Sequence, residues 1–159
     1  MNRRRAARYG AVQALYQLEV GGAAVDLVIG EFHAHRLADL LDPLELEGEA
    51  PEVDREWFQT VTRGAWRRSA ELDPLIEARL ASGWSLDRLG YLVRAVLRAG
   101  TFELAERLDV PPRVVINEYV GLAHDFLPRE DAGFVNAVLD RLAGELRPDD
   151  ESVRRAADA

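Results

Sequence analysis

The chain has 159 residues, 48% of them hydrophobic and 30% charged, a balance that fits one globular unit with a real core and excludes disorder of the whole. It has no cysteine, which removes disulfides, thiolate metal sites and cysteine nucleophiles and makes a cytoplasmic location the default expectation. The formal net charge is −8, yet Arg3, Arg4, Arg5 and Arg8 open the chain without an acid, so the remainder carries −12 (−8 less the +4 of the arm). No apolar run approaches the about 20 residues of a membrane span, and the start lacks the apolar core of a secretory signal. All 20 basic residues are arginine; codon bias explains that better than recognition chemistry does.

Alternating β-branched runs are missing, while apolar spacings of three and four recur, so the pattern predicts an all-α protein of about seven helices in two packed small bundles. The basic arm runs without a break into a first helix, about Arg4 to Val20, with Tyr9, Val12, Leu15 and Tyr16 on one stripe. Arginines in a first helical turn oppose the helix dipole by roughly 0.3 to 1 kcal/mol each, a local conflict that hints at function. Gly21-Gly22 ends that helix. A second spans about Asp26 to Leu41, and the acidic stretch from Asp42 to Glu56, with two prolines and a glycine, reads as the longest loop. The third covers about Val53 to Glu71. Asp73 and Pro74 read as N-cap and first residue of a short fourth helix ending near Leu80.

Ser85 reads as the next N-cap, opening a helix from Leu86 to about Arg107 that is apolar on more than one side and therefore central. Val110-Pro111-Pro112 separates it from a sixth helix, about Arg113 to Phe126, and a seventh spans about Asp131 to Leu146. Residues 1–147 form the helical domain in this reading, and 148–159 a flexible polar tail.

No catalytic constellation emerges. His33 and His35 lie two apart on a predicted helix and point about 200° apart, which argues against a shared ion. Phosphate-gripping glycine loops, dinucleotide fingerprints and nucleophile elbows are absent, and the acids are spread over helix faces. The chain reads as a binding protein without a cofactor, metal or catalytic residue.

Several stretches together carry a resemblance. Arg3-Arg4-Arg5-Ala6-Ala7-Arg8 with Ala11-Val12-Gln13-Ala14-Leu15-Tyr16, Arg94-Ala95-Val96-Leu97-Arg98, Val115-Ile116-Asn117-Glu118-Tyr119-Val120 and Phe134-Val135-Asn136-Ala137-Val138-Leu139-Asp140 resemble the NusB family of bacterial transcription antitermination factors, over about Arg3 to Arg147. The resemblance implies boxA-type single-stranded RNA and the ribosomal protein NusE as partners, within the RNA polymerase antitermination complex, and no membrane partner. By position it makes Arg3, Arg4, Arg5 and Arg8 the RNA-backbone contact, a role that suits the planar arginine fork. It places Tyr16, Glu130 and Phe134 near RNA, although core packing is an equal reading for Tyr16 and the weightier one for Phe134, which shares helical spacing with Val138 and Leu142.

Arg94 and Arg98 become partner-facing candidates, with pairing to acids of their own surface as the alternative. Asn117 and Glu118 read chiefly as fasteners between helices. Two positions depart from the family pattern: Val93 replaces a common acid that helps meet NusE, and Ala137 replaces a glycine, which asks for slightly wider helix spacing. Other readings are a NusB-like module of an RNA cytosine methyltransferase lacking its catalytic domain, and a scaffold that binds only protein. A homodimer that hides the arm stays open.

Overall fold

The computed structural model describes residues 2–37, 53–150 and 153. Among them seven α-helices and no strand are found: α1 (Arg3–Gly21), α2 (Val25–Glu31), α3 (Arg55–Arg67), α4 (Ser69–Glu77), α5 (Tyr91–Glu106), α6 (Pro112–Phe126) and α7 (Arg129–Leu146). A π-turn, Phe32–Arg36, prolongs α2, and a 3₁₀ turn, Leu86–Arg88, precedes α5. The expected end of the second helix and nearly all of the acidic loop lie outside the described residues, as does most of the tail. Within the described start of the tail, the Asp150 N–H donates to the Arg147 carbonyl.

The helices form two bundles that share α5. In the first, α1 packs on α2 and α3; in the second, α6 and α7 pack on each other with α4 alongside, and α5 touches α1, α3, α4, α6 and α7. That central position follows from its sequence, because every residue from Ala95 to Leu104 is buried. Gly64 allows the close approach of α3 to α5: a Cβ there would lie 2.2 Å from the Phe102 ring. At the end of α1, Gly22 takes φ 70° and its N–H closes the helix on the Leu18 carbonyl, the left-handed conformation that the expected double-glycine exit supplies.

Four local expectations are corrected. The break between the third and fourth helices falls at Arg68, not at Leu72-Asp73-Pro74, and Pro74 lies inside α4. Asp73 caps nothing; its carboxylate accepts two bonds from Arg98 on α5, which with buried Leu72 and Ile76 holds α4 on that helix. The helix expected from Leu86 begins only at Tyr91, because Leu89 is extended and Gly90 takes the N-cap position. Ala137 is exposed, so its methyl group meets solvent and demands no wider helix spacing.

Candidate nucleic-acid interface

The basic arm is the first turn of α1. Asn2 supplies the N-cap, its Oδ1 accepting from the Arg5 N–H at 2.6 Å, and no acid in that turn offsets the arginines. The arm is tied down at its backbone: the Asp54 N–H donates to the Arg3 carbonyl at 3.1 Å, while the Asp54 carboxylate caps α3 by accepting from the Trp57 N–H at 3.0 Å. Arg3, Arg4 and Arg5 are exposed. Arg4 lies 3.8 Å over the Trp57 ring, and Arg5 donates to Glu118 of α6 at 2.7 and 3.2 Å, which raises the Arg5 pKa. Glu118 thus fastens α6 to α1 as the sequence suggested, whereas Asn117 is exposed. A cleft of about 500 Å³ beneath the arm is lined by Asn2, Arg3, Arg4, Asp109, Pro111 and Glu118, among others.

Arg8 departs from the expectation of a fourth RNA contact. It is 2% exposed and donates two bonds, 2.9 and 2.8 Å, to the buried Glu103 of α5, which also accepts from the Tyr119 hydroxyl. Position explains this: Arg8 follows Ala6 and Ala7 on the inner face of α1, where small side chains let α5 approach. Burial alone would push the Arg8 guanidinium down, but the bonds and charge of Glu103 hold it above its ordinary value. Burial, and then Glu103, raise the Tyr119 hydroxyl well above its ordinary range.

Arg94 and Arg98 are also drawn inward. Arg98, 8% exposed, joins α5 to Asp73 on α4 at 2.9 Å and to Glu19 on α1; Arg94 pairs with Glu19 at 2.7 Å and lies 4.4 Å over the Tyr91 ring. Both thus pair with the chain's own acids, the alternative that the sequence offered for them.

Tyr16 and Phe134, far apart in sequence, meet in a groove of about 700 Å³ that Trp84, Leu89, Tyr91 and Leu127 help to line. Tyr16 meets Tyr91 edge to face at 6.3 Å, and Tyr16, Trp84 and Tyr91 are 37%, 53% and 47% exposed. Phe134 is half-buried, packed on the core and open to the groove. Glu130 is exposed in the first turn of α7, where the helix dipole favours an acid; a carboxylate there offers nothing to a phosphate. Along α1, Arg5 and Tyr16 fall within about 20° of one stripe and about 17 Å apart, while Arg4 turns about 120° away from Tyr16, towards Trp57.

Sequence reasoning missed four things. Trp84 and Tyr91 carried no period that would single them out. Glu103 did carry a signal, a lone acid between Phe102 and Leu104 in an apolar run. Arg147 is buried and donates to the carbonyls of Glu103, Leu104, Arg107 and Val110, closing the last turn of α5. Arg107, at that same end, lies 4.3 Å over the Trp57 ring. His33 sits edge-on to Phe58 with Arg55 3.2 Å from its Nδ1; burial, then Arg55, lower its pKa. Among the described residues no group of three or more metal-ligating side chains assembles, and no helix is long and apolar enough to cross a membrane.

The helical architecture, cationic first turn and aromatic groove define an all-helical binding protein. The chain belongs to the NusB family, whose model matches residues 5–144. It is 50% identical to the transcription antitermination protein NusB of Sinorhizobium fredii (strain NBRC 101917 / NGR234) over 147 residues, 92% of this chain and 89% of that protein. It is 48% identical to the protein of the same name from Rhodopseudomonas palustris (strain BisB18) over 152 residues, 95% and 87% of the two chains. Among solved structures it resembles NusB of T. maritima, with TM-score 0.70 and 30% identity, covering 91% of this chain and 94% of that one. It also resembles a chain in a crystal structure of antitermination factors NusB and NusE in complex with dsRNA, with TM-score 0.67 and 25% identity, covering 89% and 96%. The chain is accordingly an antitermination factor and not an enzyme.

Proposed function

We propose that the protein binds boxA-type single-stranded RNA together with NusE, using the exposed arm for the RNA backbone and the aromatic groove for the protein partner. The observation that carries this reading is the exposure of Arg3, Arg4 and Arg5 on one capped helical turn of a protein whose remainder is strongly acidic. Three arginines that displace counterions from single-stranded RNA give a log-log salt slope of about −2. The rest of the chain carries a net charge of −12 once the four leading arginines are set aside, so affinity needs a second contributor. A basic ribosomal protein is attracted by the acidic helix faces while the arm stays open to phosphate.

The groove has the chemistry of a protein contact: half-exposed Trp84, Tyr91 and Tyr16 are aromatic anchors, the residue types that dominate interface energetics. Val93 lines the same groove, so the departure from the family's acid falls where a partner would sit and makes this contact more apolar. Phe134, on the same wall, serves the partner or a splayed base. The complex of NusB and NusE with dsRNA, known for a structural relative, supports joint binding.

The test is titration of boxA-like and scrambled RNA with this protein alone, NusE alone, and both. Affinity for boxA-like RNA is expected to exceed that for scrambled RNA and to rise when both proteins are present. Equal affinity with and without saturating NusE contradicts the composite surface.

A further inference from the structure

We propose that Arg107, at the end of α5, is an additional RNA-phosphate contact beside the arm, and that Asp109 occupies its guanidinium until RNA displaces it. The inference rests on the reading of the arm as the RNA site.

Three observations carry it. The first is convergence on one ring: Arg4 of α1 and Arg107 of α5 stand 3.8 and 4.3 Å from the Trp57 centroid, with Arg8 behind at 5.5 Å. The two outer guanidinium carbons are therefore within about 8 Å of each other, close enough for one stretch of phosphodiester backbone to meet both. The indole suits that task at a cost, since Trp57 Nε1 is buried without a hydrogen-bond partner among the described residues, a cost that phenylalanine would avoid. What tryptophan offers over phenylalanine is the better face for a cation.

The second observation is the nature of the Arg107 pairing. Both fork nitrogens donate to Asp109, at 3.1 and 3.2 Å, across one intervening residue, and the Asp109 side chain is 59% exposed. Such a pair is loosely held. Within the arm, Arg5 is held more firmly, by a Glu118 that is only 14% exposed. The third is location. Asp109 lines the cleft beneath the arm together with Arg3 and Arg4, so its carboxylate sits where an RNA phosphate would approach. The Arg107 backbone is meanwhile fixed, because Arg147 donates to its carbonyl at 2.8 Å. Exchange of carboxylate for phosphate then needs only a side-chain movement.

The experiment is titration of boxA-like single-stranded RNA over a salt series with the full chain and its Arg107→Gln, Asp109→Asn, doubly substituted and Arg4→Ala forms, each checked by thermal melting. Arg107→Gln is expected to weaken binding several-fold, equally for scrambled RNA, and to make the salt slope shallower by about 0.7. Asp109→Asn is expected to tighten binding, and this gain disappears in the double variant. If Arg107→Gln changes neither affinity nor slope while Arg4→Ala lowers both, the inference is overturned and the arm reading stands. If Arg4→Ala is also without effect, the arm reading falls and takes the inference with it. A gain from Asp109→Asn that persists beside Arg107→Gln means that Asp109 acts by general repulsion, which overturns the exchange.

Discussion

At the N-terminal end of α1, Arg3, Arg4 and Arg5 are exposed side chains, the first two at the rim of a cleft, whereas at its C-terminal end Glu19 draws Arg94 and Arg98 of α5 into a partly buried network with Asp73. Arg8 belongs to the second kind although it lies one turn from the first. The difference is one of environment. An arginine on the inner face of α1 or α5 would be an uncompensated buried charge without its carboxylate, so Glu103, Glu19 and Asp73 belong to the fold. An arginine on the outer face of the first turn stays exposed even where it meets Trp57 or Glu118, and it sits where the helix dipole disfavours it. That dipole cost is removed when an anion arrives.

The largest effect that breaks this contrast is expected from Glu103→Ala. It leaves Arg8 buried without its partner and Tyr119 without an acceptor, at about 3 to 5 kcal/mol. Thermal unfolding then falls by roughly 10 °C. Glu19→Ala costs less, about 1 to 3 kcal/mol, because Arg98 keeps its fork to Asp73. If both variants melt like the parent, the internal pairs carry no stability and the distinction between the two ends of α1 fails.

At the groove, Trp84→Ala and Tyr91→Ala sharpen the comparison from the other side. Each is expected to weaken NusE binding by about 2 kcal/mol, roughly thirtyfold, as measured by calorimetric titration. Half-exposed rings contribute little to the core, so the melting temperature changes by no more than a few degrees. A large loss of stability with unchanged NusE affinity would return both rings to the core.

The smallest expected effect is that of His33. Its folded pKa lies below the unfolded value near 6.5, through burial and the neighbouring Arg55, so the folded state favours the neutral ring. Its contribution is present above pH 6.5 and is lost as pH falls through the folded value. Urea unfolding followed from pH 7.5 to 5 is expected to show a modest decline in stability that His33→Gln reduces. An identical decline in the variant would assign it to other groups.

These contrasts also mark what the sequence can reveal. Helix existence was legible because three-and-four spacing reports an apolar stripe, and the ten-residue buried run of α5 identified the central helix. The break at Arg68 was not, since no glycine or proline marks it, and Pro74 drew attention to a position that α4 accommodates; at Leu89 the neighbouring Gly90 was a signal that the apolar run overrode. The basic arm was visible as a charge asymmetry, yet four arginines within six positions could not be divided into three outside and one inside. That division depends on Glu103, ninety-five positions away from Arg8. Trp57 with Arg107, and Tyr16 with Trp84, Tyr91 and Phe134, likewise meet only through packing of separate helices.

The central claim is that the exposed arginines, and not Arg8, meet the RNA backbone. It is tested most directly by the salt dependence of boxA-like RNA binding for Arg3, Arg4 and Arg5 changed together to Ala, compared with Arg8→Met. The triple change is expected to remove about two units of log-log slope and to leave melting nearly unchanged, while Arg8→Met lowers melting and keeps the slope of its folded fraction. A triple variant that keeps its affinity and slope, or an Arg8→Met protein that melts normally but loses them, would contradict the account.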